Sequence, residues 1–538
     1  MRVLLSTVLL LLAAYGSAAL GAESEISSSR FQFHIKAVEE HLYKWQVKEA
    51  TVRSKLAFSA AGTQEEKALA NYVASRVEFF KGNYAASLRM AQEAKQSKKK
   101  LPKYIDEYVE YIQKVAETGS MFKEVASRNF KVRYAHPKDK ILVHFAIDGL
   151  EKSYANIGRD FNRYPDVPVI VEIFPSLESF SHASTLTLRE IQTTGVVGVC
   201  KFNRIMILSP RLLPKGYKWL DTLAHEYAHY LIFVATENNM AVWLHEGLAK
   251  AHESRWRDDK RNFLTPLYET VLARALNENR LVPLEKMHPS FGKLDSADEA
   301  QLAFAQVGTM VEFLLDRWGE GVIPMLLQEV KERGDINSAL QTITDLEFGS
   351  FYEEWEKDLR SKSLKEKISD TKVIELKFVE EGGGEDKGSE LDLGEVTDLR
   401  AREYTRIGDL LRSRGRVRAA AYEYEKALRH NPLSPVVVNR LASVRNSMGK
   451  YVEAREVLIP LVDYFPGYPN TFINLGKSYM ESGDYKRALR AYENVISIDP
   501  FDPELHSSLL HLYDKLGLKE ESKSEREILA VLADKETR

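Results

Sequence analysis

The sequence predicts an α+β unit of short strands and helices, preceded by a helical region and followed by an α-helical solenoid. Three observations carry this. Apolar residues recur at three- and four-residue spacing from Ser27 to about Glu117. Three short β-branched runs then follow, separated by helical patterns: FKVRY (Phe130 to Tyr134), VPVIVEIF (Val167 to Phe174) and RIMILSP (Arg204 to Pro210). Beyond residue 400, glycines return every 34 residues, at Gly415, Gly449, Gly483 and Gly517.

The first residues, MRVLLSTVLLLLAAYGSAALGAES, run from a basic start through an apolar core to small residues. That layout is expected of a secretory signal peptide over residues 1–22. An exported protein follows, periplasmic or secreted. The absence of any Asn-x-Ser/Thr sequon favours a bacterial envelope. Cys200 is the single cysteine, so no intrachain disulfide can form and the fold must rest on packing. With 75 basic and 78 acidic residues among 538, the net charge of −3 gives no electrostatic case for nucleic acid or an anionic membrane. No later run reaches the roughly 18 apolar residues of a membrane span.

Residues 23–122 form the helical N-terminal region. Within it, Ala70 to Ala94 reads as a helix–turn–helix pair with Gly82 at the turn, and QSKKKLPK (Gln96 to Lys103) as a solvated helix end. Residues 123–365 hold the α+β unit, helical again from Trp219 to about Lys362. The span 366–397 contains EEGGGEDKGSELDLGE, acidic, Gly-rich and poor in aliphatics, and is expected to be a flexible linker.

Residues 398–538 carry the repeat. Besides the four glycines, Ala420, Ala454 and Ala488 stand 34 apart, with Ser522 next in register, and so do Pro432, Pro466 and Pro500. Gly408, Ala442 and Gly476 make a further column. Small residues let paired helices cross closely, Gly permits the turn between them, and Pro ends the second. The pattern resembles the tetratricopeptide repeat, in four units of which the last departs at Leu510 and Asp534, as a capping unit does. The resemblance implies a concave surface for a peptide or protein partner.

The chemistry is concentrated in TLAHEYAHYLIF (Thr222 to Phe233). On a helix, positions i and i+4 differ by about 40° in azimuth, so His225 and His229 face the same way. Glu226 lies beside them. This is the His-Glu-x-x-His pattern of metallopeptidases, expected by chance fewer than roughly 0.05 times in such a composition. Its flanks are apolar, and unpartnered buried imidazoles would cost several kcal/mol or so each. A metal removes that cost. The third protein ligand lies in AVWLHEGLAKAHE (Ala241 to Glu253), where His245 and Glu246 are rivals. Adjacent on a helix, they point about 100° apart and cannot both face one ion. Sixteen residues separate His229 from Glu246, enough for the first helix to end, turn through ATENN and return as a second.

HEYAH followed by WLHEGLA resembles the gluzincin clan of thermolysin-like and aminopeptidase-N-like zinc peptidases. More closely, it resembles the exported bacterial peptidase MA-like proteins that carry tetratricopeptide repeats. Over roughly Phe130 to Leu359 the resemblance implies a thermolysin/gluzincin-like fold and one Zn2+ held by His225, His229 and Glu246. It also implies Glu226 as general base, and RIMILSP as the edge strand that pairs with an extended substrate. The chain departs from the pattern twice. Lys250 stands where an aspartate orients a histidine in thermolysin-like enzymes, leaving Asp221 and Glu253 as alternatives for that role. Phe304 stands where a tyrosine is expected, leaving Tyr268, His252 and His288 as candidates for stabilising an oxyanion. Cys200 reads as a core residue. Two functions follow: an exported zinc metallopeptidase, or an envelope adaptor whose metal site only holds the domain together while the repeats scaffold partners.

Overall fold

The computed structural model describes residues 29–96, 102–257, 261, 263–288, 290–291, 294–368 and 393–533. The expected signal peptide, most of the Lys-rich stretch at 96–103 and most of the expected linker lie outside these. Among the described residues, no helix is long and apolar enough to cross a membrane.

Among the described residues, the N-terminal region is five helices: α1 (Ser29–Tyr43), α2 (Val47–Ala60), α3 (Gln64–Phe80), α4 (Tyr84–Lys95) and α5 (Lys103–Met121). Thr63 and Glu66 close a reciprocal capping box at the start of α3. Gly82 turns α3 into α4 with φ of +71°.

The sheet has five strands: β1 (Lys123–Ala126), β2 (Phe130–Tyr134), β3 (Val169–Phe174), β4 (Gly198–Lys201) and β5 (Arg204–Leu208). Their order is β1-β2-β3-β5-β4. The β2–β3 and β3–β5 pairs are parallel, and the outer pairs are antiparallel. Long helix α6 (Lys140–Phe161) makes the crossover from β2 to β3. The shorter α7 (Leu177–Ser184) and α8 (Leu188–Thr194) lie between β3 and β4.

RIMIL is therefore not the edge strand that the resemblance implied. It lies between β3 and β4, buried at all five positions, as a strand with neighbours on both sides requires. The edge on this side is the four-residue β4, reached by a tight turn through Phe202 and Asn203 at φ of +55° and +62°. A phenylalanine in left-handed backbone is a poor hairpin signal, so the turn leaves no mark in the residue pattern.

The N-terminal helices are locked to the sheet by a buried polar cluster. Tyr84 on α4 donates to Glu172 on β3 at 2.5 Å, and Arg204 on β5 donates to the Tyr84 hydroxyl at 2.8 Å. Arg204 is fully buried among Phe79, Tyr84 and Phe202. Such a charge is tolerable in the interior because Glu172 answers it and the rings cover it.

After the sheet come α9 (Trp219–Thr236), α10 (Val242–His252), α11 (Pro266–Asn277), α12 (Leu284–Met287), α13 (Ala297–Trp318), α14 (Val322–Arg333), α15 (Ile336–Thr344) and α16 (Phe348–Ser361). Packed chain continues past α16 into the span expected as linker. Lys367 and Ile368 donate their backbone N–H groups to Thr270 on α11, and Ile368 is buried. At the other end of that span Val396 is also buried.

The repeats are four helical hairpins: α17 (Leu399–Ser413) with α18 (Val417–His430), α19 (Pro435–Ser447) with α20 (Tyr451–Tyr464), α21 (Pro469–Glu481) with α22 (Tyr485–Ile496), and α23 (Pro503–Leu516) with α24 (Lys519–Ala533). The column of small residues has a steric cause. A Cβ at Gly408 would lie 2.4 Å from the Tyr424 ring, and one at Gly476 2.6 Å from the Tyr492 ring. The array does not hang free: Ile528 on α24 and Phe501 belong to the same apolar cluster as the sheet and α6.

Candidate metal centre

Helix α9 is apolar almost all round and mostly buried, so its polar side chains are the exceptions to explain. It ends at Glu237 and Asn238, both in left-handed backbone with φ of +52° and +69°, and α10 returns beside it. Trp243, Leu244, Leu248 and Ala249 bury one side of α10. Gly247 lets it lie close to α13, where a Cβ would come within 2.8 Å of the Val307 carbonyl oxygen. That packing sets the direction of Glu246.

His225, His229 and Glu246 converge. Glu246 Oε2 lies 3.7 Å from His225 Nε2 and 3.4 Å from His229 Nε2, and one ligating atom from each residue falls within 4.8 Å of the others. Burial alone would raise the Glu246 carboxyl, but His229 and the nearby His225 imidazole outweigh it, so its pKa is held below the usual carboxylate value. His245 stands outside the trio. Its ring stacks on His229 at 4.4 Å between centroids and meets Phe233 edge-on at 4.9 Å.

Glu226 is buried and points at the sheet edge. Its carboxylate accepts a hydrogen bond from the Cys200 backbone N–H on β4. Burial pushes its pKa up to about 7; His229 opposes the rise and Glu246 adds to it. Gly198, two residues earlier on β4, makes the approach possible. A Cβ there would lie 2.5 Å from Thr222 Cγ2 and 3.0 Å from a Glu226 oxygen. The functional weight of β4, Gly198 and Gly247 was not read from the sequence; the glycine inside GVVGVC was the available signal.

Neither expected orienting acid meets a histidine of the trio. Asp221 accepts from Lys218 (2.6 Å), Trp256 (2.8 Å) and Arg257 (3.1 Å). Glu253 pairs with Lys250 at 2.7 Å. Among the described residues, His229 Nδ1 is buried without a hydrogen-bond partner.

The three oxyanion candidates separate clearly. His252 is fully buried, bonded to the Leu248 carbonyl at 2.7 Å and facing Arg261 and Asp160, away from the trio. His288 is exposed just after α12. Tyr268, on α11, lines a cavity of about 340 Å³ together with His225, Phe304, Lys250 and Lys218. Lys250 hydrogen-bonds Tyr268 and sits 5.1 Å from its ring centre. Burial would lower Lys250, but Glu253 and Tyr268 prevail and keep it protonated. Phe304 faces His225 edge-on across 6.3 Å.

The family profile of the Peptidase MA superfamily matches residues 150–361, and that of a TPR repeat matches residues 476–517. The chain thus carries a peptidase MA-like domain with C-terminal tetratricopeptide repeats. Among curated proteins it is similar to the general transcriptional corepressor trfA of Dictyostelium discoideum, 29% identical over 126 residues, 23% of this chain and 9% of that one. It is also similar to the general transcriptional corepressor ssn6 of Schizosaccharomyces pombe, 31% identical over 99 residues, 18% of this chain. The chain spans 9% of the length of each of these relatives. Among solved structures, the MamA protein is 21% identical, covering 26% of this chain and 74% of its own, with a TM-score of 0.24. A thermophilic TPR protein of Thermus thermophilus is 24% identical, covering 25% of this chain and 75% of its own, with a TM-score of 0.23.

Proposed function

We propose that this protein is an exported, zinc-dependent peptidase of thermolysin-like architecture, with repeats that engage a protein or peptide partner. One observation carries the reading: the convergence of His225, His229 and Glu246. Tetrahedral zinc with bonds of about 2.0–2.1 Å sets its ligand atoms about 3.3–3.4 Å apart. The separations of 3.4 and 3.7 Å fit that requirement, as does a donor set of two imidazoles and one carboxylate. When bound there, zinc supplies Lewis acidity and the lowered water pKa that hydrolysis near neutral pH needs.

The chain's own groups do the rest. Glu226, with its pKa near neutrality, can take a proton and return it to a leaving amine. The Cys200 N–H holds that carboxylate in place. Lys201 pairs with Arg204 at the hairpin end, so alternation along the antiparallel ladder turns outward the main-chain groups of Gly198 and the Cys200 carbonyl, the Cys200 N–H being taken by Glu226. An extended polypeptide pairing with β4 would therefore lie beside Glu226. Tyr268, aligned by Lys250, is the hydroxyl donor in the cavity for charge developing on a carbonyl oxygen. The apolar leader over 1–22 is the ground for export, and the lack of Asn-x-Ser/Thr sequons the ground for a bacterial envelope.

Metal analysis and a diverse peptide library test the reading on the full chain. About one zinc per chain and cleavage that a chelator stops are expected. A full complement of zinc with no cleavage of any peptide would instead favour the adaptor, a reading supported by the unpartnered Nδ1 of His229. Gly198→Val gives a sharper check. The added side chain must displace Thr222 or Glu226, so hydrolysis should fall roughly 10²-fold with zinc retained. Unchanged turnover in that variant would detach β4 from the reaction.

A further inference from the structure

Helix α9 begins without a side-chain cap: Lys218 occupies the N-cap position and makes no capping bond. What holds this end comes from the repeats. Two parts of the array and the residue leading into it meet the five residues 215–219. Glu395, just before the array, lies 2.6 Å from Lys215 Nζ, which also reaches the Tyr468 hydroxyl at 3.3 Å. The Ile498 carbonyl accepts from the Tyr217 backbone N–H at 3.1 Å, and the Ile496 carbonyl accepts from the Trp219 indole N–H at 2.9 Å. Ile496 is the last residue of α22, where carbonyls lack partners within the helix, so Trp219 satisfies one of them.

The fit is close. Gly216 has φ of +62°, and a Cβ there would fall 2.1 Å from the Ile498 carbonyl oxygen. Trp219 is fully buried. On the other side, the Tyr217 hydroxyl donates to the Leu208 carbonyl of β5, tying the same segment to the sheet. Trp219 lies six helical positions, about 9 Å, before His225.

We infer that the repeat array is part of the scaffold of the metal centre, with Trp219 as a positioning residue that fixes the rotation and height of α9 through the Ile496 carbonyl. The inference rests on the reading of His225, His229 and Glu246 as metal ligands. A ligand set tolerates errors of only about 0.5 Å or 10–20°. A helix whose first turn loses its anchor exceeds that tolerance at His225 before it unfolds.

The test uses the full-length chain loaded with cobalt(II) or zinc. Trp219→Phe keeps a six-membered aromatic ring but removes the pyrrole half of the indole with its N–H. A changed cobalt(II) visible spectrum is expected, with zinc affinity weakened about tenfold in competition with a chromophoric chelator. Hydrolysis should lose kcat with KM held within about twofold. A wild-type cobalt spectrum together with wild-type zinc affinity would overturn the inference. Should Trp219→Phe not yield soluble protein, Lys215→Met loosens the same clasp from its half-buried side, and a wild-type spectrum there overturns it equally. His225→Ala tells the two levels apart. Zinc retained in that variant, or absent from wild type, removes the proposed function itself. Zinc lost in His225→Ala, with Trp219→Phe unchanged, removes only the positioning role.

Discussion

Glu226→Gln should lower peptide hydrolysis by about 10²–10⁴-fold while the protein keeps one zinc per chain, as a general base of this kind contributes that much. The substitution is nearly isosteric, and the glutamine carbonyl can still accept the Cys200 N–H, so β4 and α9 keep their spacing. What disappears is the group able to carry a proton, which burial has brought to a pKa of about 7. Steady-state kinetics beside mass-spectrometric metal content separate the two effects. Turnover equal to wild type would remove Glu226 from the chemistry, whatever the metal does.

The second large effect concerns the proposed third ligand. Glu246→Ala leaves two imidazoles facing an empty corner, and zinc should be lost on dialysis against a metal-free buffer. His245→Ala should keep it, with affinity weakened no more than about tenfold, because that ring packs against His229 and Phe233 and stands outside the trio. The two residues are neighbours in sequence, and the helix sends their side chains to different places: one toward both Nε2 atoms, the other between His229 and Phe233. Zinc kept by the Glu246 variant and lost by the His245 variant would reverse the assignment.

Much of this arrangement was legible because it rests on periodicity. A four-residue spacing brings His225 and His229 to one face, and the 34-residue glycine and alanine columns mark the hairpins of the array. FKVRY is a strand over the residues expected, while VPVIVEIF and RIMILSP are strands only over Val169–Phe174 and Arg204–Leu208. Legibility failed where a feature depends on distant contacts. β4 is four residues long and begins with glycine, so it has neither the length nor the composition of a strand. Only its pairing with β5 makes it one. The same shortness hid which strand forms the edge. Asp221 looked available to a histidine from its place on α9, yet Trp256 and Arg257, more than thirty positions onward, occupy it. Tyr268 could not be chosen over His252 and His288 without knowing which of them reaches the cavity beside His225.

Trp45, in the turn between α1 and α2, stacks on Phe233 near the far end of α9 at 4.3 Å. With Trp219 gripped by the array at the near end, α9 resembles a beam resting on two piers that stand outside residues 150–361. A fragment cut to those limits would lose both supports and bare two large rings to water. The shortest fragment expected to keep the His225, His229 and Glu246 geometry therefore reaches from the N-terminal helices to the repeats.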